Sequence, residues 1–236
     1  MIRENAYFAA FSLFGVFMTK EKAAEICRIL ENEYPDAKPA LKFASPYQLL
    51  VAVVLSAQCT DERVNKVTAE LFKVADTPEK MLTLTQSELE NYIFSCGFYH
   101  AKAEHILAAS RSIVDNFGGE VPNTREKLQT LAGVGRKTAN VVYAVAFGGN
   151  AIAVDTHVFR VSARMGLAKG KDPLDTEKKL MKILPESEWS KMHHCLIWHG
   201  RKVCKSRNPD CANCAVNALC EAYLKEGQKC SSIKKR

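Results

Sequence analysis

The chain has 236 residues, of which 47% are hydrophobic and 25% carry a charge. These proportions are ample for a buried core in one large domain or two small ones, and they are those of a globular protein rather than a disordered or membrane-embedded chain. Lys and Arg outnumber Asp and Glu by 33 to 26, and the net charge of +7 favours a polyanion such as nucleic acid as partner.

The N-terminal stretch MIRENAYFAAFSLFGVF contains an apolar run that imitates the core of a signal peptide. The run is too short to span a membrane, and no small-residue cleavage site separates it from the amphipathic sequence MTKEKAAEICRIL that follows. We interpret Met18 as the true start and residues 1–17 as an upstream extension, with a genuine short extension as the alternative. The sequence thus predicts a cytoplasmic protein without a membrane partner.

Helical periodicity runs through almost every segment, and no stretch alternates convincingly as a strand would. The first predicted helix follows Met18 and is ended by Pro35. The second has Ser45 as N-cap and Pro46 at its first position, and it is apolar nearly all round, which predicts a place at the centre of the core. A third is capped by the neighbouring Thr60 or Asp61.

The later segments continue this pattern and bring the predicted number of helices to about ten. One helix is predicted to begin at Ser87 and to stop at Gly97, and the next covers residues 99–117, ended by Gly118 and Gly119. The remaining helices are predicted in TREKLQTLAG, RKTANVVYAVAFGG, DTHVFRVSARMG, DTEKKLMKILP and SEWSKMHHCLIWHG. The predicted fold class is all-α.

The stretch LAGVGRKTANVV predicts a helix-hairpin-helix, two helices joined by a tight Gly-Val-Gly turn. Gly133 and Gly135 permit positive φ and remove side chains, so the amides of the turn can lie against a DNA phosphate. Such a turn grips the backbone and reads no sequence. We expect Arg136 to add a further DNA contact. An ordinary helical hairpin with a glycine stop is the alternative.

Lys137 lies in the first turn of the second hairpin helix, beside those amides. A lysine amine is almost wholly protonated at neutral pH, so a nucleophilic lysine needs help from its surroundings. A helix N-terminus contributes only ~0.3–1 kcal/mol, and burial against substrate must supply most of the effect. A simple phosphate contact is the alternative role.

Asp155 follows Lys137 by eighteen residues, at the end of the apolar run AIAV and the start of a predicted helix. Its carboxylate can be the N-cap of that helix, an acid directed into a cleft, or both. A carboxylate close to the lysine favours the protonated amine, which works against nucleophilicity. We therefore interpret Asp155 as the group that stabilises positive charge developing on a sugar and relays a proton, with a cap alone as the alternative.

Nine cysteines are spread unevenly along the chain. A secreted disulfide framework is expected in shorter, loop-rich chains, so these cysteines indicate a reducing cytoplasm. Four fall within seventeen residues with the spacing C-x6-C-x2-C-x5-C, and four thiolates can enclose either zinc or a [4Fe–4S] cluster. The four are Cys204, Cys211, Cys214 and Cys220; scattered core thiols are predicted at Cys27, Cys59, Cys96 and Cys195, and a free thiol at Cys230.

Two basic residues, Lys205 and Arg207, lie between the first two of the four clustered cysteines. A metal site would hold this loop rigid against a phosphate. An electron carrier is disfavoured, because the spacing is not the compact ferredoxin run and the hairpin would be unexplained.

In their order and spacing, the hairpin lysine, the downstream VDTH and the cysteine run resemble the endonuclease III family, bifunctional DNA glycosylases of the helix-hairpin-helix superfamily. The match runs from about Met18 to Cys220. The resemblance implies [4Fe–4S] rather than zinc on the four cysteines, Lys137 as nucleophile and Asp155 as the essential carboxylate. It also implies two helical domains flanking a DNA-binding cleft.

The implied domains divide the chain discontinuously. A six-helix domain would cover residues 39–151, with the hairpin at about 126–147. Residues 18–38 and 152–225 would form the iron–sulfur cluster domain, and residues 226–236 a basic tail.

Two further stretches match the family. LSAQCTD implies that Gln58 enters the gap left by a flipped nucleotide, and GFYHAKA implies that Phe98 wedges into the duplex. The family pattern there is Gly-Leu-Tyr-Asn-x-Lys-Ala, so Phe98 and His100 depart from it, which affects wedge geometry and the choice of base. Ala132 stands where proline is usual, a change in turn rigidity.

The resemblance implies a base-excision repair enzyme that removes damaged, oxidised pyrimidines from duplex DNA and cleaves the abasic site by β-elimination through a lysine Schiff base. The expected partner is double-stranded DNA containing damaged bases or abasic sites, bound by a monomer. The competing hypothesis is a non-catalytic helix-hairpin-helix DNA-binding module with a structural metal site.

Overall fold

The computed structural model describes residues 18–226. The predicted extension at residues 1–17, Cys230 and the predicted basic tail beyond residue 226 lie outside the described residues. Within them the chain is helical and contains no strand, which confirms the all-α prediction. No helix in this part of the chain has the length and apolar character needed to cross a membrane.

The described part contains twelve α-helices and two 3₁₀ turns, the latter at Glu186–Glu188 and Asn217–Leu219. In chain order the α-helices are α1 (Lys20–Glu33), α2 (Pro46–Ser56), α3 (Asp61–Val74), α4 (Pro78–Met81), α5 (Gln86–Ile93), α6 (Tyr99–Phe117), α7 (Arg125–Leu128), α8 (Arg136–Phe147), α9 (Thr156–Met165), α10 (Pro173–Ile183), α11 (Trp189–Lys202) and α12 (Glu221–Glu226).

The chain separates into two compact units. One is the continuous segment 38–153, and the other joins residues 18–37 to residues 154–226. The continuous unit holds α2 to α8, seven helices where the resemblance implies six, and the single turn α4 is the additional one. Its start is encoded locally, since Thr77 caps it and Pro78 occupies its first position.

Helix α2 forms the centre of the continuous unit, as its apolar sequence predicts. Eight of its eleven residues are buried, and it packs against α3, α6 and α8. Burying a side chain of the size of Leu49 or Leu55 contributes roughly 1.5–3 kcal/mol, and both are fully buried. The hairpin helices α7 and α8 are therefore attached to the most stable part of this unit.

The predicted caps are largely confirmed. The Ser45 side chain accepts from the Gln48 amide at 3.2 Å, and Thr60 rather than Asp61 caps α3. The predicted start of α5 at Ser87 is wrong, because Thr85 and Glu88 form a capping box. Each satisfies a backbone N–H of the other.

The predicted stop of that helix at Gly97 is also wrong. Helix α5 ends at Ile93, with Phe94 as its C-cap. The chain then turns through residues 94–98 before α6 begins. Gly97 therefore belongs to the turn before α6 rather than to the end of α5.

In the discontinuous unit, α11 packs against α1 and α9, and α9 also packs against α10 and α12. Helix α1 buries Ala23, Ile26, Cys27 and Leu30, a spacing of three to four residues that forms one apolar stripe. Helix α1 therefore joins the C-terminal helices although most of the chain lies between them.

Candidate nucleic-acid interface and cysteine site

The turn between α7 and α8 depends on Gly133. Its φ is +72°, and a Cβ built there would lie 2.8 Å from the Cβ of His105 on α6. An L side chain is disfavoured in this backbone region, and it would also collide with the neighbouring helix. Gly133 thus lets the turn pack directly onto α6.

Gly135 contributes to the turn by lacking a side chain rather than by its backbone conformation. Its φ is −79°, which any residue can adopt, so the freedom of glycine to take a positive φ is used at Gly133 and not here. A Cβ there would have no atom within 4 Å. Gly135 is the N-cap of α8, and no side chain caps this helix start. Its contribution is to leave the space in front of the helix amides open.

Arg136 and Lys137 form the first turn of α8, and both side chains are exposed. The opposite face of α8 buries Ala139, Val142 and Ala144 in the unit core. This division follows from the 3.6-residue period of the helix. It presents the two cations at the open helix N-terminus and anchors them through the apolar face.

Asn140 is a residue that the sequence analysis missed. It is almost fully buried on α8, and its Nδ2 donates to the Ile152 carbonyl at 2.9 Å. A buried asparagine in an apolar helix was the available sequence signal, because such a group requires a partner. The bond ties α8 to the segment that leads to Asp155.

Asp155 is the N-cap of α9. Its Oδ1 accepts from the Val158 amide at 2.7 Å, which confirms the predicted cap. The side chain is half-buried. Nearby His157 has its pKa lowered mainly by burial, so its ring is uncharged near neutral pH.

Arg160 fastens α9 to the end of α11, a contact that the sequence analysis did not predict. Its guanidinium donates to the Gly200 carbonyl at 2.9 Å and to the Cys204 carbonyl at 3.0 Å. These charge-assisted bonds connect the helix that begins at Asp155 with the first clustered cysteine.

Gln58 and Phe98 have positive φ, at 53° and 57°. Such conformations cost roughly 1–3 kcal/mol each in a non-glycine residue and concentrate at functional positions. Both side chains are exposed, and Phe98 shows 68% of its surface. The structure therefore places both predicted DNA-contacting side chains on strained, exposed backbone of the continuous unit.

The four clustered cysteines line one cavity. Among the described residues, no group of three or more His, Cys, Asp or Glu side chains is arranged to hold a single metal ion. A zinc ion would need its thiolates to converge at about 2.3 Å from one point. The four thiols share the lining of one cavity, which makes them the candidate ligands of a metal group.

Arg164 and His199 border this cavity, and the sequence analysis missed both. Buried Arg164 has one terminal nitrogen 3.6 Å from the Cys204 sulfur, and its Nε has no hydrogen-bond partner. A buried guanidinium with an unused donor is costly unless an anion completes it. Arg164 thus places a buried positive charge beside the Cys204 sulfur.

His199 lies between Cys214 and Tyr34, and Tyr34 is the C-cap residue of α1. Its Nε2 lies 3.5 Å from the Cys214 sulfur, and its Nδ1 lies 3.0 Å from the Tyr34 hydroxyl. Burial lowers the pKa of His199 to about 4, so the ring is neutral at pH 7. A neutral ring that accepts from the tyrosine donates from Nε2 toward sulfur.

Arg164 also binds the backbone of the basic loop that follows Cys204. Arg164 donates to the Lys205 carbonyl at 2.6 Å and to the Ser206 carbonyl at 3.0 Å. The side chains of Lys205 and Arg207 are exposed. The loop therefore presents its two cations from a backbone that is fixed beside the cysteine cavity.

Comparison with known proteins agrees with this arrangement. Residues 51–186 match the model of the HhH-GPD superfamily base excision DNA repair proteins. The chain is 48% identical over 204 residues to endonuclease III of Haemophilus influenzae, covering 86% of this chain and 97% of that protein. It is 50% identical over 214 residues to endonuclease III of Bacillus subtilis, covering 90% of this chain and 96% of that protein.

Among solved structures, a trapped endonuclease III–DNA covalent intermediate is similar with a TM-score of 0.84 and 46% identity, covering 90% of this chain and all of that chain. Both the sequence and the fold thus match over nearly the full length of these relatives. The chain belongs to the endonuclease III family, within the HhH-GPD superfamily of base excision DNA repair proteins.

Proposed function

We propose that this base-excision repair enzyme removes oxidised pyrimidines from duplex DNA and cleaves the resulting abasic site, with Lys137 as the nucleophile. The observation that carries the assignment is an exposed amine in the first turn of an uncapped helix, directly after a turn that only glycine can make. Backbone amides at such a helix start bind phosphate. A sugar carbon next to a bound phosphate is therefore within reach of the amine.

The proposed reaction begins when the neutral amine of Lys137 attacks C1′ of the damaged nucleotide. The C1′–N bond breaks, the base leaves with the bonding electron pair and takes up a proton, and the ring-opened sugar forms an iminium with Nζ. The iminium acidifies the C2′ proton. Loss of that proton and departure of the 3′ phosphate break the strand, and water then hydrolyses the iminium and releases the enzyme.

Asp155 supports the positive charge that develops on the sugar and relays the proton. One of its oxygens is engaged by the Val158 amide, so the carboxylate is held at a fixed orientation at the start of α9. This assignment rests on the fixed carboxylate and on the match to the family motif.

DNA is gripped through its backbone by the hairpin amides at Gly133 and Gly135 and by the exposed cations Arg136, Lys205 and Arg207. Such contacts position the duplex and carry no sequence information. Gln58 fills the gap left by the flipped nucleotide, and Phe98 wedges between the neighbouring bases. Their exposure on strained backbone supports these roles.

The four cysteines hold a [4Fe–4S] cluster in this proposal, which their common position in the lining of one cavity and the match to the family's cysteine spacing support. The cluster core with four thiolates is anionic, which fits the unused Nε of Arg164. When bound, the cluster would cross-link the end of α11 to the segment before α12 and keep the Lys205–Arg207 loop rigid. The scattered cysteines Cys27, Cys59, Cys96 and Cys195 form no disulfide among the described residues, which supports a reducing, cytoplasmic location.

Borohydride trapping on a duplex with one abasic site tests the assignment. The wild type is expected to form a covalent adduct that Lys137→Ala abolishes. Lys127→Ala is the matched control, because Lys127 lies on the other hairpin helix and is also exposed; it should trap like the wild type. An adduct that survives Lys137→Ala refutes the nucleophile, and no adduct with folded, cluster-loaded wild type favours the non-catalytic DNA-binding module.

A further inference from the structure

Gln58 and Phe98 stand on two loops that touch each other. Gln58 follows the end of α2, and Phe98 directly precedes α6. A Cβ on Gly97 would lie 3.5 Å from the Gln58 carbonyl oxygen, which is ordinary van der Waals contact. The backbone next to Phe98 therefore lies close to the backbone of Gln58.

Lys102 lies near the start of α6, the helix that follows Phe98, and its side chain links this helix to the loop of Gln58. Its side chain is only 5% exposed, and its ammonium donates to the Leu55 carbonyl at 2.8 Å and to the Ala57 carbonyl at 2.6 Å. These acceptors lie at the C-terminal end of α2, where helix carbonyls lack helical partners. The backbone amide of Lys102 donates to the Phe98 carbonyl at 3.1 Å.

Burying an ammonium is costly, so packing alone does not explain a lysine at this position. Burial is also the main influence on the pKa of Lys102, which it lowers. A methionine or leucine would fill the same volume without that cost. What lysine adds is a charge-assisted bond to each of two carbonyls within the three residues before Gln58.

We propose that Lys102 is a positioning residue that holds Gln58 and Phe98 in a fixed arrangement, so that both side chains can enter the stacked duplex together. The inference rests on the proposed function, because it presumes that both side chains enter DNA. Lys102 touches no reacting atom, and its effect should appear only where a nucleotide must be extruded from a stacked duplex.

The test compares strand cleavage at one abasic site in a duplex and in a single strand of the same sequence. Lys102→Met removes the donor and keeps the length of the side chain. It is expected to slow single-turnover duplex cleavage by about tenfold or more, since small displacements of positioning groups cost that much or more. Cleavage of the single strand does not require Gln58 and Phe98 to enter a duplex. Its rate should change by less than about twofold, within the usual scatter for uncoupled sites.

A double-mutant cycle separates positioning from general stability. In a Gln58→Ala/Phe98→Ala background, Lys102→Met should have little further effect on duplex cleavage, because its targets are already absent. Lys73→Met, the same substitution at an exposed lysine of α3, is the matched control and should be silent. If Lys102→Met does not fold, the ratio of duplex to single-strand cleavage is measured for Lys102→Gln instead, whose donor is neutral and whose side chain is shorter.

The outcomes are distinct. Equal slowing of both substrates, or an undiminished effect in the Gln58→Ala/Phe98→Ala background, overturns the positioning role and leaves the proposed function intact. A folded, cluster-loaded wild type that cleaves neither substrate overturns the proposed function and this inference with it. A selective loss on the duplex that vanishes in the double background establishes the inference.

Discussion

Replacing the two hairpin glycines one at a time separates the effect of this turn on folding stability from its effect on DNA binding. Gly133→Ala places a Cβ at φ +72° and 2.8 Å from the Cβ of His105. The left-handed backbone alone costs roughly 1–2 kcal/mol. The clash adds to this, because the contact is with a Cβ that no rotamer change of His105 can move. We expect a total loss of about 2–4 kcal/mol in the free energy of unfolding.

Gly135→Ala is the matched control, two residues away. Its φ is −79° and the added Cβ meets no atom within 4 Å. Alanine restricts the unfolded chain and so stabilises by about 0.4–1 kcal/mol, whereas alanine is a poorer N-cap than glycine by a similar amount. The stability of Gly135→Ala should therefore match the wild type within about 1 kcal/mol.

DNA binding should order the two variants differently. The methyl group of Gly135→Ala occupies the space in front of the α8 amides, so its Kd for a duplex with a reduced abasic site should rise about tenfold, the equivalent of one lost charge-assisted bond. Urea denaturation and fluorescence anisotropy measure the two quantities. A Gly135→Ala variant that binds DNA like the wild type, or a Gly133→Ala variant as stable as the wild type, would refute the reasoning about this turn.

Three further predictions concern the carboxylate, the basic loop and the cysteines. Asp155→Asn keeps an oxygen for the Val158 amide, so its free energy of unfolding should lie within about 0.5 kcal/mol of the wild-type value while strand cleavage is lost. Asp155→Ala should lose strand cleavage and also about 1 kcal/mol of stability. Equal cleavage by Asp155→Asn and wild type would exclude the carboxylate role. The logarithm of DNA affinity should fall with the logarithm of salt concentration by about 0.9 per phosphate neutralised, and Lys205→Ala or Arg207→Ala should each reduce that slope by about 1; an affinity independent of salt contradicts the backbone grip. Cys214→Ala should lower iron content and loosen the basic loop in hydrogen exchange, and unchanged iron content would show that Cys214 is not a ligand.

Local features were predictable because they depend on near neighbours. The cap at Ser45 was predicted and is confirmed, and of the two predicted candidates Thr60 and Asp61 the structure selects Thr60, since an N-cap involves a side chain and an amide three residues on. The central position of α2 followed from its uniform apolarity. The start of α5 was predicted at Ser87, but Thr85, two residues earlier, can also cap a helix, and the reciprocal bond of Glu88 selects it.

Contacts between distant residues required the tertiary structure. The need for glycine at position 133 comes from His105 on another helix. Gly135 lies in a similar sequence context, yet its backbone has a conformation that any residue can adopt. The bonds of Lys102 to Leu55 and Ala57 span more than forty residues, and those of Arg164 and His199 reach the cysteine cavity from α9 and α11. Periodicity and motif spacing record which helix face is apolar and which residues are close in sequence. They contain no information on which buried cation meets which carbonyl, because packing of separate helices decides that.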